Sequence, residues 1–174
     1  RDCDSWIPND TASPGGKPAP VIVYVHGGGW GAETLKQRPL DMQWFADRGY
    51  LAISLEYPLS SETRHTWNVA EPQLACAMVW IAANAPRLGG DPEKLALWGE
   101  SAGGNLVLNL AYRANAGTLD SACEGTPPKI AAVAALYPAE GTLILDYPAL
   151  AVTTASTSSG QSAAAAAFSA ELGT

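Results

Sequence analysis

No run of basic residues occurs anywhere in the chain. Lys and Arg total 10 against 17 Asp and Glu, a formal net charge of −7 at pH 7. A balance of that sign argues against nucleic acid or an anionic membrane surface as a main partner. No apolar run reaches transmembrane length, so no span is expected, and the first residues carry no signal-peptide pattern. The chain does not begin with Met, and Arg1-Asp2-Cys3 already read as structure. A processed or trimmed N-terminus is expected, which leaves the compartment open between cytoplasmic and secreted. Cysteine is scarce, with 3 residues and neither a CxxC pair nor a Cys/His metal spacing, so no metal site is expected. Histidine is scarcer still: His26 and His65 are the only 2. The spacing of elements is too irregular for a solenoid, and there is no internal repeat.

The cysteines admit two readings. Cys3, Cys76 and Cys123 are either small buried apolar residues or one disulfide plus a free thiol in an exported enzyme. Cys123 lies in the polar loop Asp120–Gly125, where a lone thiol has little packing reason to exist. Cys76 is its preferred partner.

What is present suits one domain. At 174 residues with 47% apolar content, the chain can bury a core of globular type. Residues 1–150 read as that core. Residues 151–174 are rich in Ala, Ser and Thr and read as a loop, a cap segment or a weak helix around Ala163 to Leu172.

Along the chain, Trp6-Ile7 before Pro8-Asn9-Asp10 predicts the tail of an edge strand running into a turn. Thr11 to Pro20 reads as an exposed connection. Val21 to Val25 is a continuous β-branched run, the pattern of a strand covered on both faces. Pro39 to Arg48 predicts a short helix with Pro in its first turn and Gly49 just past its end. Tyr50 to Leu55 predicts a second buried strand, followed by an irregular stretch from Tyr57. Leu74, Ala77, Met78, Ile81 and Ala85 line one face of a helix from about Pro72 to Ala85. Gly89-Gly90-Asp91-Pro92 reads as a turn, Lys94 to Trp98 as a third strand, and Ser101 to about Ala116 as a helix with Ala102, Leu106 and Leu110 on one side. Ile130 to Tyr137 predicts a fourth buried strand. Strand and helix alternate throughout, which implies an α/β fold: a mostly parallel sheet flanked by helices.

Two motifs carry chemistry. The first is Gly99-x-Ser101-x-Gly103 between a strand and a helix. A serine on so sharp a turn stands above the sheet at a helix N-terminus, and Gly99 and Gly103 omit the β-carbons that would collide there. The second is His26-Gly27-Gly28-Gly29-Trp30 directly after a buried strand. Acyl transfer to a serine passes through an oxyanion, and glycines leave backbone N–H groups open to it. The amides of Gly28, Gly29 and Ala102 are the natural donors.

HGGGW followed by GESAGG resembles the α/β-hydrolase superfamily, most of all its hormone-sensitive-lipase-type and carboxylesterase branch. The resemblance spans roughly Trp6 to Tyr137. It implies an α/β-hydrolase fold, hydrolysis of carboxylic esters of small to medium acyl groups, and no metal or organic cofactor. It also implies Ser101 as nucleophile, Gly28, Gly29 and Ala102 as oxyanion donors, and His26 as a residue that shapes the loop. Two local departures stand out. Glu56-Tyr57-Pro58 replaces the family's frequent Asn-Tyr-Arg, and Glu100 takes a place often held by Asp.

The larger departure is the triad, whose chain order in this family is serine, acid, histidine. Both histidines precede Ser101. His65 reads as a solvated or pocket-rim residue, and Asp146 as a loop aspartate one strand too early for the acid. A partial sequence, incomplete at both ends of the fold and lacking base and acid, is therefore expected. The function expected is a serine carboxylic ester hydrolase. The alternatives are a non-catalytic binding domain of the same fold and an inactive fragment. Trp30, Trp44, Trp67, Trp80 and Trp98 read as core or pocket wall, with Trp30 the best pocket candidate. Asn105 and Asn109 read as solvent or cap contacts. The oligomeric state stays open.

Overall fold

The computed structural model describes residues 3–7 and 17–139. The expected turn at Pro8–Asp10, most of the connection from Thr11, Asp146 and the segment 151–174 lie outside those residues. The described elements are β1 (Cys3–Trp6), β2 (Ala19–Val25), α1 (Pro39–Ala46), β3 (Leu51–Leu55), α2 (Ala70–Asn84), β4 (Gly90–Glu100), α3 (Ala102–Ala116) and β5 (Ala132–Leu136), with a 3₁₀ turn at Ala85–Leu88.

The strands form one sheet in the order β1-β3-β2-β4-β5. β1 pairs antiparallel with β3, and every other pairing is parallel. Val21, Val23 and Val25 of β2 face the same core as Leu51, Ile53 and Leu55 of β3 and Leu95 and Leu97 of β4. That face packs against Leu74, Met78 and Ile81 of α2 and Leu106, Val107 and Leu110 of α3. The opposite face carries Tyr24 and Trp98, whose rings lie 4.7 Å apart. Phe45 of α1 packs there, 5.8 Å from Trp98. Both faces of the central strands are covered, and this is why β2 and β3 read as unbroken apolar runs.

Several expectations need correction. The Gly89–Pro92 turn does not precede β4 but lies largely within it. Ala19 pairs with Gly90 and Pro20 with Asp91, and the register then jumps so that Val21 faces Leu95. Pro92, Glu93 and Lys94 bulge out between them. Asp91 Oδ1 accepts from the Glu93 amide at 3.1 Å, and Lys94 pairs with Asp91 at 2.8 Å. Lys94 and the hydrogen bonds hold the Asp91 carboxyl below its usual value despite its partial burial. The fourth strand is not buried. Residues Ala132 to Ala135 of β5 are only partly covered and Leu136 is 40% exposed. Among the described residues β5 has β4 as its sole neighbour. Val133 and Ala135 pack against the core only partly buried, and Ile130, ahead of β5, is the buried residue of this stretch.

The disulfide reading of the cysteines is the one the structure carries. Cys76 of α2 and Cys123 are bonded, with Cα atoms 5.3 Å apart. Arg113 of α3 also reaches α2, pairing with Glu71 at 2.9 Å.

Register sets the position of everything that follows. Val25 pairs with Leu55 on one side and Gly99 on the other, and Glu100 pairs with Leu136. Four parallel strands therefore end at one level. His26, Glu56, Ser101 and Tyr137 leave the sheet together at its C-terminal edge. The connection leaving β2 runs toward β3 on one side and the connection leaving β4 runs toward β5 on the other, and between two strands whose connections diverge is where open α/β sheets form their crevice.

Candidate active site

Ser101 stands at the turn between β4 and α3 with φ 52° and ψ −120°. A non-glycine residue at positive φ is strained and must be held by its surroundings. Three bonds do this. The Ser101 amide donates to Leu136 O at 3.0 Å, while Ser101 O accepts from Ala139 at 2.9 Å and Asn105 at 3.1 Å. The Asn105 side chain donates to Ala139 O at 3.3 Å, and Asn109 donates to Asn105 Oδ1 at 3.2 Å. These asparagines thus tie the chain after β5 to the serine turn instead of facing solvent. The helix starts at Ala102, one residue later than expected, because Ser101 is its non-helical cap.

The motif glycines act as the sequence suggests, with one refinement. A β-carbon on Gly99 would lie 2.5 Å from Gly103 O, a collision across the turn. A β-carbon on Gly103 would instead strike the carbonyls at the end of β2, Val25 O and His26 O. Gly103 is therefore needed for α3 to start directly against the glycine run, and not for the turn alone.

The run His26–Trp30 folds beside the serine. A β-carbon on Gly27 would sit 3.4 Å from Ser101 Cβ and 3.1 Å from Glu100 O. Gly28 has φ 87° and could not carry a β-carbon without striking Ala32 O. Its carbonyl is turned back to accept from Gly31 and Ala32 at 3.1 and 3.0 Å. Gly29 has φ 60° in open space. Among the described residues nothing accepts from the amides of Gly28, Gly29 or Ala102. Trp30 also has positive φ, packs partly buried against the core, and its carbonyl accepts from Ser60 at 2.7 Å.

His26 is fully buried beneath this run. Its Nε2 lies 2.7 Å from Glu56 Oε1 and its Nδ1 3.1 Å from Gly27 O. The ring stacks on Tyr57, with centroids 4.4 Å apart. Tyr57 donates to both His26 O and Gly27 O, at 3.0 and 2.9 Å. Burial, then the charges of Glu56 and Glu33, push the Tyr57 phenol well above its ordinary value, so it remains a donor. Glu56 Oε2 also accepts from the Leu35 amide at 3.2 Å. The Glu56-Tyr57 pair, read from sequence only as a departure, is the brace under the glycine run.

Glu100 is the second residue whose part sequence reasoning missed. Its buried carboxylate pairs with Arg38 through both Nε and Nη2, the Nε contact being 3.0 Å. It also accepts from Tyr24 at 3.1 Å and Tyr137 at 2.8 Å. Burial pushes this carboxyl up, but the bonds from Arg38, Tyr137 and Tyr24 outweigh it and leave it below the usual range. Arg38, which caps α1, and Tyr137, which follows β5, thereby meet at the residue before Ser101. Residues 62 and 37 positions apart give no sequence signal of such a meeting.

His65 is exposed on the loop before α2, as expected, and neither histidine bonds to Ser101 among the described residues. No cluster of three metal-ligating side chains occurs among the described residues. No helix among them is long and apolar enough to cross a membrane. Two tryptophans depart from the expected core placement. Trp67 and Trp80 are 59% and 47% exposed, while Trp44 lies under the Arg48 guanidinium at 3.6 Å.

This geometry can be set beside known proteins. A family model described as BD-FAE matches residues 8–165. The chain belongs to the BD-FAE family. Among curated proteins, this BD-FAE chain is 35% identical over 96 residues to carboxylesterase NlhH of Mycobacterium tuberculosis, covering 55% of the chain and 30% of that protein. It is 31% identical over 136 residues to esterase LipQ of the same species, covering 77% and 31%. It is 33% identical over 97 residues to mouse hormone-sensitive lipase, covering 55% and 12%. Among solved structures, the propionate-bound esterase Est2 of Thermogutta terrifontis matches with a TM-score of 0.66 at 26% identity, covering 78% of the chain and 49% of that one. The fold is thus the α/β-hydrolase fold of the hormone-sensitive-lipase type. The chain spans about a third or less of the length of these curated relatives.

Proposed function

We propose that this chain carries the nucleophile and the oxyanion donors of a carboxylic ester hydrolase. Ser101 Oγ attacks the acyl carbonyl, the ester C–O bond breaks and the alcohol leaves with a proton, and water then hydrolyses the acyl-serine to release the acid and restore the hydroxyl. The amides of Gly28, Gly29 and Ala102 receive the developing oxyanion, each worth about 3 kcal/mol of barrier. The observation that carries this reading is the approach of the glycine run to the serine, 3.4 Å between a Gly27 β-carbon position and Ser101 Cβ. The strained, braced serine supports it further, since a binding module has no use for a half-buried serine held at positive φ.

The proton acceptor in this reading is a histidine other than His26 and His65. His26 is committed to Glu56 and the glycine run, and His65 is exposed on a separate loop. The substrate class is carboxylic esters, following relatives named carboxylesterase and esterase; acids of small to medium size are what the resemblance implies. The test is hydrolysis of a short p-nitrophenyl ester by the full-length protein. Ser101→Ala is expected to abolish it, and undiminished turnover in that variant overturns the assignment.

A further inference from the structure

Glu33 follows the glycine run and has φ 68°, a conformation disfavoured for any residue with a β-carbon. Its side chain lies back along the glycines. Its β-carbon is 3.0 Å from the β-carbon position of Gly28, and its Oε2 is 3.3 Å from that of Gly27. That same Gly27 position is 3.4 Å from Ser101 Cβ, so the Glu33 carboxylate and the Ser101 side chain converge on one point at Gly27.

The other charges around it are already matched. Arg38 is taken by Glu100 and Asp41. His26 is taken by Glu56. Among the described residues Glu33 has no hydrogen bond and no ion pair. Its field is nonetheless felt nearby, since its charge contributes to raising both the Tyr57 and Tyr137 phenols.

We propose that Glu33 is a specificity-determining residue, whose unpaired carboxylate beside the oxyanion glycines favours esters bearing a cationic group and disfavours anionic ones. The inference rests on Ser101 as nucleophile. A carboxylate this near the serine turn attracts a substrate cation and repels a substrate anion. A strained side chain held over the glycines, where glycine itself would be unstrained, is a feature that asks for such a role.

The experiment compares three thioesters of one acyl group in the full-length protein: the cationic thiocholine ester, its neutral tert-butyl isostere and an anionic mercaptosulfonate ester. The ratio of kcat/KM for the cation to that for the neutral ester is expected to fall about tenfold in Glu33→Gln. It is expected to fall likewise in Glu33→Gly, which also relieves the backbone, and the anionic ester is expected to gain in both. In the unaltered protein the same ratio should shrink with added salt. Ratios unchanged in both variants overturn the proposal. Turnover that survives Ser101→Ala overturns the nucleophile reading instead, and this inference with it.

Discussion

His26 Nε2 lies 2.7 Å from Glu56 Oε1, and this pair joins the end of β2 to the end of β3 beneath the glycine run Gly27–Gly29. The pair never touches the serine. It fixes the height and tilt of Gly27, which Tyr57 holds from the other side. Glu56→Ala removes the acceptor for a buried ring and for the Leu35 amide. The expected cost is about 2 kcal/mol of stability. In the full-length protein, kcat is expected to drop on the order of a hundredfold with KM little changed, because misplaced donors weaken the transition state first. Urea unfolding and steady-state kinetics on the same variant check both.

The glycines divide by what surrounds them. Gly103→Ala drives a methyl into two carbonyls of the β2 end and is expected to cost more than about 4 kcal/mol, or to prevent folding. Gly29→Ala meets nothing within 4 Å and bears only the strain of φ 60°, about 1 kcal/mol. Thermal melts of the two variants should differ widely. Equal losses would contradict the packing described for the start of α3.

A buried and a partly buried carboxylate give opposite pH dependences. Glu100 has its carboxyl lowered in the fold, so its contribution is present above about its ordinary 4.5 and is lost as pH falls through the lowered value. Glu71 is raised by burial, against the pull of Arg113, and its Oε1 has no partner among the described residues. The fold therefore favours its protonated form, and stability declines as pH rises from the ordinary toward the raised value. Denaturation midpoints between about pH 3 and 7 are expected to lose their acid-side fall in Glu100→Gln. In Glu71→Gln they are expected to lose the opposing decline.

The Cys76–Cys123 bond spans 47 positions and closes the loop after α3 onto α2. Restricting a loop of that length in the unfolded chain is worth about 4 kcal/mol. Reductant should add two hydrogens to the intact mass and lower the melting temperature. A Cys123→Ser variant should melt at the lowered temperature and be insensitive to reductant.

Much of the fold was legible in the chain because its signals are local. Val21 to Val25 and Tyr50 to Leu55 announce buried strands by their β-branched and apolar runs, and Pro39 with Gly49 brackets α1. The turn at Ser101 and the glycine run after β2 were legible because each is a short pattern of particular residues at fixed spacings. What stayed hidden was long-range or conformational. Arg38 reaches Glu100, and Tyr137 clamps the elbow, only once the sheet is assembled. Gly103 answers to Val25 and His26, far away in sequence. The Pro92–Lys94 bulge depends on the register between β2 and β4. The positive φ of Glu33, whose side chain lies back along Gly27 and Gly28, leaves no trace in composition or periodicity.

The central claim is that Ser101 is the acyl-accepting nucleophile. The direct measurement is peptide mass spectrometry of the full-length protein after reaction with a fluorophosphonate. The account predicts a single adduct on the peptide that carries Ser101, absent from Ser101→Ala. An adduct on any other residue, or labelling that persists in that variant, would contradict it.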